Sequence, residues 1–353
     1  MRRHSSGIAA QNLLSRIAVW LVSAALFAAL TFGGLYAVAG LSGGTLPKLD
    51  PRLFEPRSLA LIALFLAVYF LADCARLFFV LRALAAEISF ARVLPLVFIN
   101  ILFSNITPLA TGGGFAQVWY LQRRGVAIGT SAAATTIRTI LAMLVIFIAA
   151  PFFQMIAPAT GVSRLSSVLS QSIAVFSTLY FAGFMVFLLR PSWILKMLDG
   201  VFTLLSRARL LSDARRQRWN ATLRVEMKSF AGGFRQFLGA PLGLSLAATL
   251  STLVFLLVLF AFPALLMTLL DTETDWLAVI GTLSVVTFLM YFAPTPGGAG
   301  FSELAFAGLM AGRIAPEELV LIIFAWRFLT IYLGMAIGVV VSVVSLRAGA
   351  QDA

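Results

Sequence analysis

Long apolar runs separated by short polar segments occupy most of the chain. Two apolar runs, 93–107 and 276–293, stop at Pro- and Gly-rich breaks, and the pieces that follow them, 114–122 and 300–312, are too short to cross a bilayer. Crossing needs roughly 20 apolar residues. The pattern predicts an all-α membrane protein, a polytopic helical bundle with two re-entrant helical hairpins and six full spans, at about 17–40, 58–81, 130–157, 171–189, 239–270 and 319–346.

The two breaks are copies of one motif. They read PLATGGGFAQ at 108–117 and PTPGGAGFSE at 294–303. Aligned without gaps they share the first proline, two glycines and the phenylalanine, and each ends on a polar residue. Proline removes a backbone donor and glycine weakens a helix, so the chain cannot stay helical there. A helix broken at membrane depth in both halves is typical of a transport site.

Basic residues indicate how these segments are oriented. With the N-terminus in the cytoplasm and both hairpins re-entrant, most Lys and Arg lie on the cytoplasmic side, as the positive-inside rule requires. The two hairpins then enter from opposite faces, which makes the halves an inverted repeat. If both short runs crossed fully, an N-terminus outside would satisfy the rule nearly as well, and that alternative stays open. We expect a multi-pass protein of the bacterial cytoplasmic membrane with both termini in the cytoplasm.

The composition agrees with a membrane protein and narrows the chemistry. Hydrophobic residues make up 61% of the chain, charged residues 11%, and the mean hydropathy is +0.99. The net charge of +12 comes largely from arginines beside apolar runs, which favours topology and anionic-lipid contacts over nucleic-acid binding. One cysteine and one histidine predict neither a disulfide nor a metal cluster, and we expect no cofactor.

The chain therefore divides into parts of a single membrane domain, 1–353. Residues 93–157 form the first hairpin and its following helix, and residues 276–346 form the second. Between them, 190–238 is basic and amphipathic, which suits a segment on the cytoplasmic surface that contacts anionic lipid headgroups. A plain linker between the halves explains that segment equally well.

Two arginines lie deep in predicted spans. Arg138 and Arg327 each stand eight residues into the helix after a hairpin, roughly 12 Å from opposite faces at 1.5 Å per residue. Glu303 is placed to form an ion pair with Arg327, and a structural role and a substrate role for this pair remain open. Gln117 occupies the corresponding position in the first motif, so Arg138 has no obvious carboxylate in its own repeat. An intramembrane guanidinium without an acid is a candidate for binding an anion.

Other polar residues in the apolar runs are expected to have structural roles. Asp73 and Arg76, three apart on one helix, predict a local ion pair. Asn100 and Asn105 precede the first break, where interhelical hydrogen bonding is the expected role.

The breaks themselves supply a second kind of anion-binding group. A half-helix that starts near Gly114 or Gly300 would present backbone N–H groups and a positive dipole end toward the bilayer centre. Tight helix packing is the alternative role for these glycines. We predict no catalytic residues and a substrate-binding set of Arg138, Arg327, Glu303, Gln117, Asn105, Gly112, Gly113, Gly114, Pro294, Pro296, Gly297, Gly298 and Gly300.

The motifs resemble those of the flippase-like membrane family that includes the transmembrane portion of bacterial lysylphosphatidylglycerol synthases. The resemblance rests on the 105–114 segment, the Arg123 to Gly125 turn and the second break with Gly300, Phe301 and Glu303, and it covers roughly 15–347. It implies about eight membrane segments and a role in moving or handling a phosphate-bearing lipid. Residues 1–353 contain no soluble domain of the kind that follows in the synthases, so aminoacyl transfer by this polypeptide alone is not expected.

The leading hypothesis is a lipid flippase or lipid transporter for an anionic phospholipid or polyprenyl-phosphate-type lipid. Arg138, Arg327 and the half-helix N–H groups would hold the headgroup, while Glu303 takes up a proton or releases Arg327. The alternatives are a carrier of a small soluble anion, a membrane-embedded headgroup transferase, and a scaffold for a separate synthase or glycosyltransferase. The transferase would need a general base or metal carboxylates, which the sequence does not offer.

Overall fold

The computed structural model describes residues 49–107, 110–156, 232–293 and 295–351, with isolated positions between 25 and 40 and at 175 and 179. Much of the predicted span 17–40, almost all of 171–189, residues 190–231 of the basic segment, and Pro294 lie outside the described residues.

The described residues are almost entirely helical. Short 3₁₀ turns stand at Pro51–Phe54 and Pro296–Gly298, and a π-helical turn at Phe328–Tyr332 joins the last two helices. The helices are α1 (Pro56–Ala83), α2 (Phe90–Asn105), α3 (Thr111–Arg123), α4 (Ile128–Ile156), α5 (Leu242–Leu269), α6 (Trp276–Met290), α7 (Phe301–Met310), α8 (Pro316–Arg327) and α9 (Leu333–Gln351).

Four helical segments in the described part of the chain are long and apolar enough to cross a membrane. They are Pro56–Ala83, Ile128–Phe153, Leu242–Leu269 and Pro316–Ser345, the last running through the π turn. Each lies within a few residues of a predicted span, and α2 and α6 are apolar but shorter, as expected from the sequence. The prediction of an all-α membrane protein is therefore confirmed for the described part of the chain.

The centre of the molecule is formed where α1 packs along α5. Their aromatic rings interlock: Tyr69 stacks on Phe255 with 5.0 Å between ring centroids, and Phe65 meets Phe262 edge-on at 5.8 Å. Phe262 is fully buried, as are many aliphatic side chains around it. Because both helices are apolar on nearly every face, they hold the interior against which the short helices pack.

The described halves repeat one order of elements. Helices α1 and α5 both have 28 residues, and two residues beyond each lies a left-handed residue, Ala85 (φ 53°) or Asp271 (φ 55°). Left-handed glycines also follow α3 and α7, Gly125 (φ 85°) and Gly312 (φ 78°). Each half also packs a short helix against a long helix of the other half: α2 packs on α9, and its counterpart α6 packs on α4. Matching turns and reciprocal packing are what two copies of one unit produce.

Helices α2 and α3 form an antiparallel hairpin. Gly113, near the start of α3, lies against Ser104 near the end of α2, whereas Gln117, further along α3, donates through Nε2 to the Leu96 carbonyl at 3.5 Å. A Cβ at Gly113 would overlap the Ser104 hydroxyl, so the glycine sets how closely the two helices approach. Helices α6 and α7, on either side of the second break, also contact each other.

Candidate functional site

The second break is built from left-handed glycines. Gly297, Gly298 and Gly300 have φ of 57°, 66° and 78°, values that only glycine adopts without strain. The chain turns through Pro296–Gly298 and becomes helical again at Phe301, with Gly300 as the N-cap and no side chain capping that end. The prediction of a half-helix starting near Gly300 is confirmed.

The first break is earlier than predicted. Helix α3 begins at Thr111, after a left-handed Ala110 (φ 54°), so the prediction that this half-helix starts near Gly114 is wrong. The reason lies in Thr107, whose Oγ1 accepts the Gly112 N–H at 2.8 Å and satisfies a first-turn donor. That N–H is therefore engaged within the protein, and Gly114 lies inside the helix beside open space.

The second break meets the end of α2. Asn105, at the end of α2, packs against Gly297 so closely that a Cβ at Gly297 would overlap the side-chain oxygen Oδ1 of Asn105. Asn105 Nδ2 donates to the Ile101 carbonyl at 2.7 Å, a bond within α2 rather than the predicted one between helices, and this orients the amide oxygen toward the second break. From the other side, Arg327 Nη2 donates to the Gly297 carbonyl at 3.4 Å. The end of α2, the second break and Arg327 thus form one site.

The predicted ion pair between Glu303 and Arg327 is confirmed. Arg327 Nε lies 2.8 Å from Glu303 Oε1, and both residues are fully buried. Ser302 Oγ donates to the second carboxylate oxygen at 2.9 Å. The pair joins the first turn of α7 to the end of α8, and the helix returns through the π turn directly after Arg327. Because both groups are buried, losing either one would leave the other as an uncompensated charge, which is strongly destabilising.

Arg138 has a carboxylate partner, so the prediction that it lacks one was wrong. Its Nη2 lies 3.3 Å from Asp73 Oδ1, on α1. The predicted local pair is confirmed as well, because Arg76 Nε lies 2.5 Å from the same oxygen. All three side chains are buried, and the Arg76 guanidinium stands 4.0 Å from the centre of the Phe255 ring. One carboxylate oxygen therefore serves two guanidiniums.

The buried charges of the described residues do not balance. They comprise three arginines, at 76, 138 and 327, and two carboxylates, at 73 and 303. The charges of all three arginines act on the hydroxyl of Tyr69, and Arg138 also interacts electrostatically with Tyr291 at the end of α6. The ion pairs thus share one interior with an excess of positive charge. Arg76 Nη1 is buried there without a hydrogen-bond partner in the described part of the protein. Such a centre attracts an anion.

Several predicted residues lie apart from this centre. Gln117, Gly113 and Gly114 belong to the α2–α3 hairpin, whereas Pro296 begins the 3₁₀ turn of the second break and so lies beside Gly297 in the site. Sequence reasoning missed Ser302 and Tyr69 and did not connect Asp73 with Arg138. The signal available in the sequence was that a buried arginine needs a carboxylate partner. Once Glu303 is paired with Arg327, Asp73 is the remaining deep acid for Arg138.

A cavity of about 670 Å³ adjoins the first break. It lies between the α2–α3 hairpin and α9, and its wall includes Phe115, 78% exposed, and Trp119, 40% exposed. The lining is mostly apolar, with four hydroxyl-bearing residues: it comprises Ile99, Phe103, Thr107, Thr111, Gly112, Phe115, Ala116, Trp119, Ser342 and Ser345. The cavity is a lateral groove rather than a closed aqueous chamber.

Within the residues that the structure describes, no group of three or more His, Cys, Asp or Glu could hold a metal ion. The centre offers charged groups in ion pairs instead, with Glu303 and Asp73 each held by arginine. This arrangement suits binding of a charged group.

Replacing Gly297 with alanine is expected to destabilise the protein. The left-handed backbone alone costs a non-glycine residue about 1–2 kcal/mol, and the new Cβ would overlap Asn105. Gly308 in α7 has open space beside it and an ordinary helical backbone, so Gly308→Ala is the matched control and should be neutral or stabilising. Thermal unfolding in detergent measures both; equal midpoints would contradict the described geometry of the break.

Comparison with known proteins identifies the family. A UPF0104 membrane protein of Archaeoglobus fulgidus is 26% identical over 259 residues, which cover 73% of this chain and 77% of that protein. The family model described as the lysylphosphatidylglycerol synthase TM region matches residues 9–338, so it includes the broken helices and the buried arginines. The chain is a multi-pass membrane protein that belongs to the lysylphosphatidylglycerol synthase TM region family.

Proposed function

We propose that this protein is a lipid flippase or lipid transporter that moves an anionic, phosphate-bearing lipid across the membrane. The headgroup binds where the second break meets the end of α2, at Asn105, Gly297 and Arg327, and in the interior whose charge Arg138 shares. Membership in a family named for a lipid synthase's membrane region supports a lipid-related role.

The observation that carries the proposal is the excess of buried positive charge. Charged side chains inside a membrane are costly and rare, and they usually mark a substrate or ion pathway. Two carboxylates would neutralise two arginines, yet Arg76 and Arg138 share Asp73, which leaves one positive charge without a buried counter-ion among the residues that the structure describes. An anionic headgroup would supply the missing charge.

The lateral groove favours a lipid over a small soluble anion. A soluble anion needs a water-filled path closed toward the bilayer, whereas a lipid needs an opening between helices for its chains. The groove between the α2–α3 hairpin and α9 is such an opening and shares Thr107 and Gly112 with the first break.

Transport by the purified chain tests the proposal. The full chain in vesicles of phosphatidylethanolamine is given phosphatidylglycerol or phosphatidylcholine with a fluorescent headgroup-proximal label, and outer-leaflet label is quenched chemically. We expect labelled phosphatidylglycerol of the inner leaflet to reach the outer leaflet, and so to be quenched, faster than in protein-free vesicles. Absence of acceleration would favour a scaffold for a separate synthase or glycosyltransferase. Uptake of labelled phosphate without lipid movement would favour a soluble-anion carrier, and either result would contradict the proposal.

The proposed architecture has six full spans and two re-entrant hairpins, α2–α3 and α6–α7, related by an inverted repeat. The reciprocal packing of α2 on α9 and α6 on α4 supports this arrangement. Alternating access in inverted repeats comes from the two halves exchanging conformations about a fixed site. The basic segment 190–238 would then lie on the cytoplasmic surface, where it contacts anionic lipid headgroups.

Cysteine labelling tests the inversion. After Cys74→Ala, single cysteines replace Arg123 at the end of α3 and Arg313 after α7, both exposed. A membrane-impermeant maleimide should label them from opposite sides of sealed vesicles, because the hairpin bases face opposite leaflets. The Cys74→Ala protein without a new cysteine is the control and should not react. Labelling of both positions from one side would rule out the inverted arrangement.

A further inference from the structure

The groove beside the first break adjoins the proposed headgroup site. Thr107, Thr111 and Gly112 line the groove and flank the first break. Asn105, two residues before Thr107, contacts Gly297 where the second break meets the end of α2. A molecule with a polar end at the breaks could therefore extend a hydrocarbon portion along the groove without leaving the protein.

The groove also contains a polar group that the protein does not satisfy. The Ser342 Oγ on α9 is buried and has no hydrogen-bond partner among the described residues. A serine in a helix commonly donates to a carbonyl one turn earlier, and the hydroxyls of Thr107 and Thr330 do so, at 2.7 Å and 2.8 Å. An unsatisfied hydroxyl in an apolar groove costs free energy unless a ligand accepts its hydrogen bond.

We propose that this groove holds one hydrocarbon chain of the transported lipid, entering from the leaflet at the base of the α2–α3 hairpin. The proposal rests on the proposed function, since the headgroup site lies at the breaks. The chain lies along Phe103, Phe115 and Trp119, and the Ser342 hydroxyl, turned from its buried position into the groove by a change of rotamer, donates to an ester carbonyl of the lipid. The volume of about 670 Å³ falls in the range of roughly 300–1,000 Å³ that small-molecule sites occupy.

Photo-crosslinking tests occupancy directly. The full chain in phosphatidylethanolamine vesicles receives phosphatidylglycerol that carries a diazirine on one acyl chain, and adducts are located by mass spectrometry. Val340 and Val344, 62% and 60% exposed on α9, mark the ordinary lipid-facing surface. Labelling of Phe103, Phe115 and Ser342 should saturate and be competed by unlabelled phosphatidylglycerol, while labelling of the two valines should rise without saturation. Equal, non-saturating labelling of both faces would overturn the proposal.

A pair of tryptophan variants tests function. Ser342→Trp fills the groove, whereas Val340→Trp places the same ring on the lipid-facing side of the same helix. We expect the first to slow phosphatidylglycerol movement by about tenfold or more, because it excludes several methylene groups from a buried site, and the second to leave it unchanged. If both variants moved phosphatidylglycerol at the wild-type rate, the proposal about the groove would be overturned while the proposed transport function would stand. Saturable groove labelling in a wild-type protein that moves no lipid would instead overturn the proposed function and leave the binding site standing.

Discussion

Replacing Glu303 with glutamine is expected to destabilise the protein by about 3–5 kcal/mol, because it leaves the Arg327 guanidinium buried without a counter-charge. Glutamine keeps the volume and hydrogen-bonding capacity of the side chain, so the effect reports the charge. Glu303 and Arg327 are both inaccessible to solvent, and their atoms lie 2.8 Å apart. Water therefore cannot compensate the arginine once the carboxylate is gone. A large fall in the thermal unfolding midpoint in detergent is the expected observation.

Two variants separate charge from packing in this experiment. Glu317→Gln, in the exposed first turn of α8, removes an equal charge and should change the stability by less than about 1 kcal/mol. Combining Glu303→Gln with Arg327→Met removes both charges and should recover much of the lost stability, since isolated buried charges cost more than absent pairs. A midpoint for Glu303→Gln equal to that of Glu317→Gln would contradict the buried pair.

Replacing Arg138 with glutamine is expected to abolish most lipid movement while the protein stays folded. Asp73 keeps a partner in this variant, because Arg76 Nε lies 2.5 Å from the oxygen that Arg138 also contacts. The variant thus removes the excess positive charge without leaving an unpaired carboxylate. Loss of one charged hydrogen bond to the headgroup, worth about 1.5–3 kcal/mol, corresponds to a roughly 10- to 100-fold slower rate.

Vesicle assays and unfolding midpoints together check this expectation. Arg57→Gln removes an exposed arginine at the start of α1 and should leave both quantities near the wild-type values. If Arg138→Gln moved phosphatidylglycerol at the wild-type rate, the arginine would have a structural role only. If instead it failed to fold, Arg76 alone would not be a sufficient partner for Asp73, and Arg138→Lys would then be expected to restore folding.

Local signals made the long helices and the breaks predictable from the sequence. Hydropathy alone places Pro56–Ala83 and Leu242–Leu269, because a span needs apolar length and little else. The second break follows from Gly297, Gly298 and Gly300, whose left-handed conformations require glycine. The Glu303–Arg327 ion pair was also predictable from the sequence, because the acid lies in the half-helix after the second break and the base lies in the helix that follows it.

Tertiary contacts explain what the sequence did not reveal. The partner of Arg138 is Asp73, on a helix before the first hairpin, and only the packing of α1 against α4 brings them together. The early start of α3 depends on one hydroxyl, Thr107 Oγ1, which no periodic pattern indicates. In both cases the missed feature is a single polar contact between elements, and such contacts fix the detail of a site within a fold that hydropathy defines.

The most direct test of the central claim is the ratio of phosphatidylglycerol to phosphatidylcholine translocation rates, measured in the same vesicles for the wild-type protein and Arg138→Gln. If a buried guanidinium excess selects an anionic headgroup, the wild-type protein prefers phosphatidylglycerol by roughly tenfold or more and the variant loses that preference. Equal rates for the two lipids in the wild-type protein, or an unchanged preference in Arg138→Gln, would contradict the account.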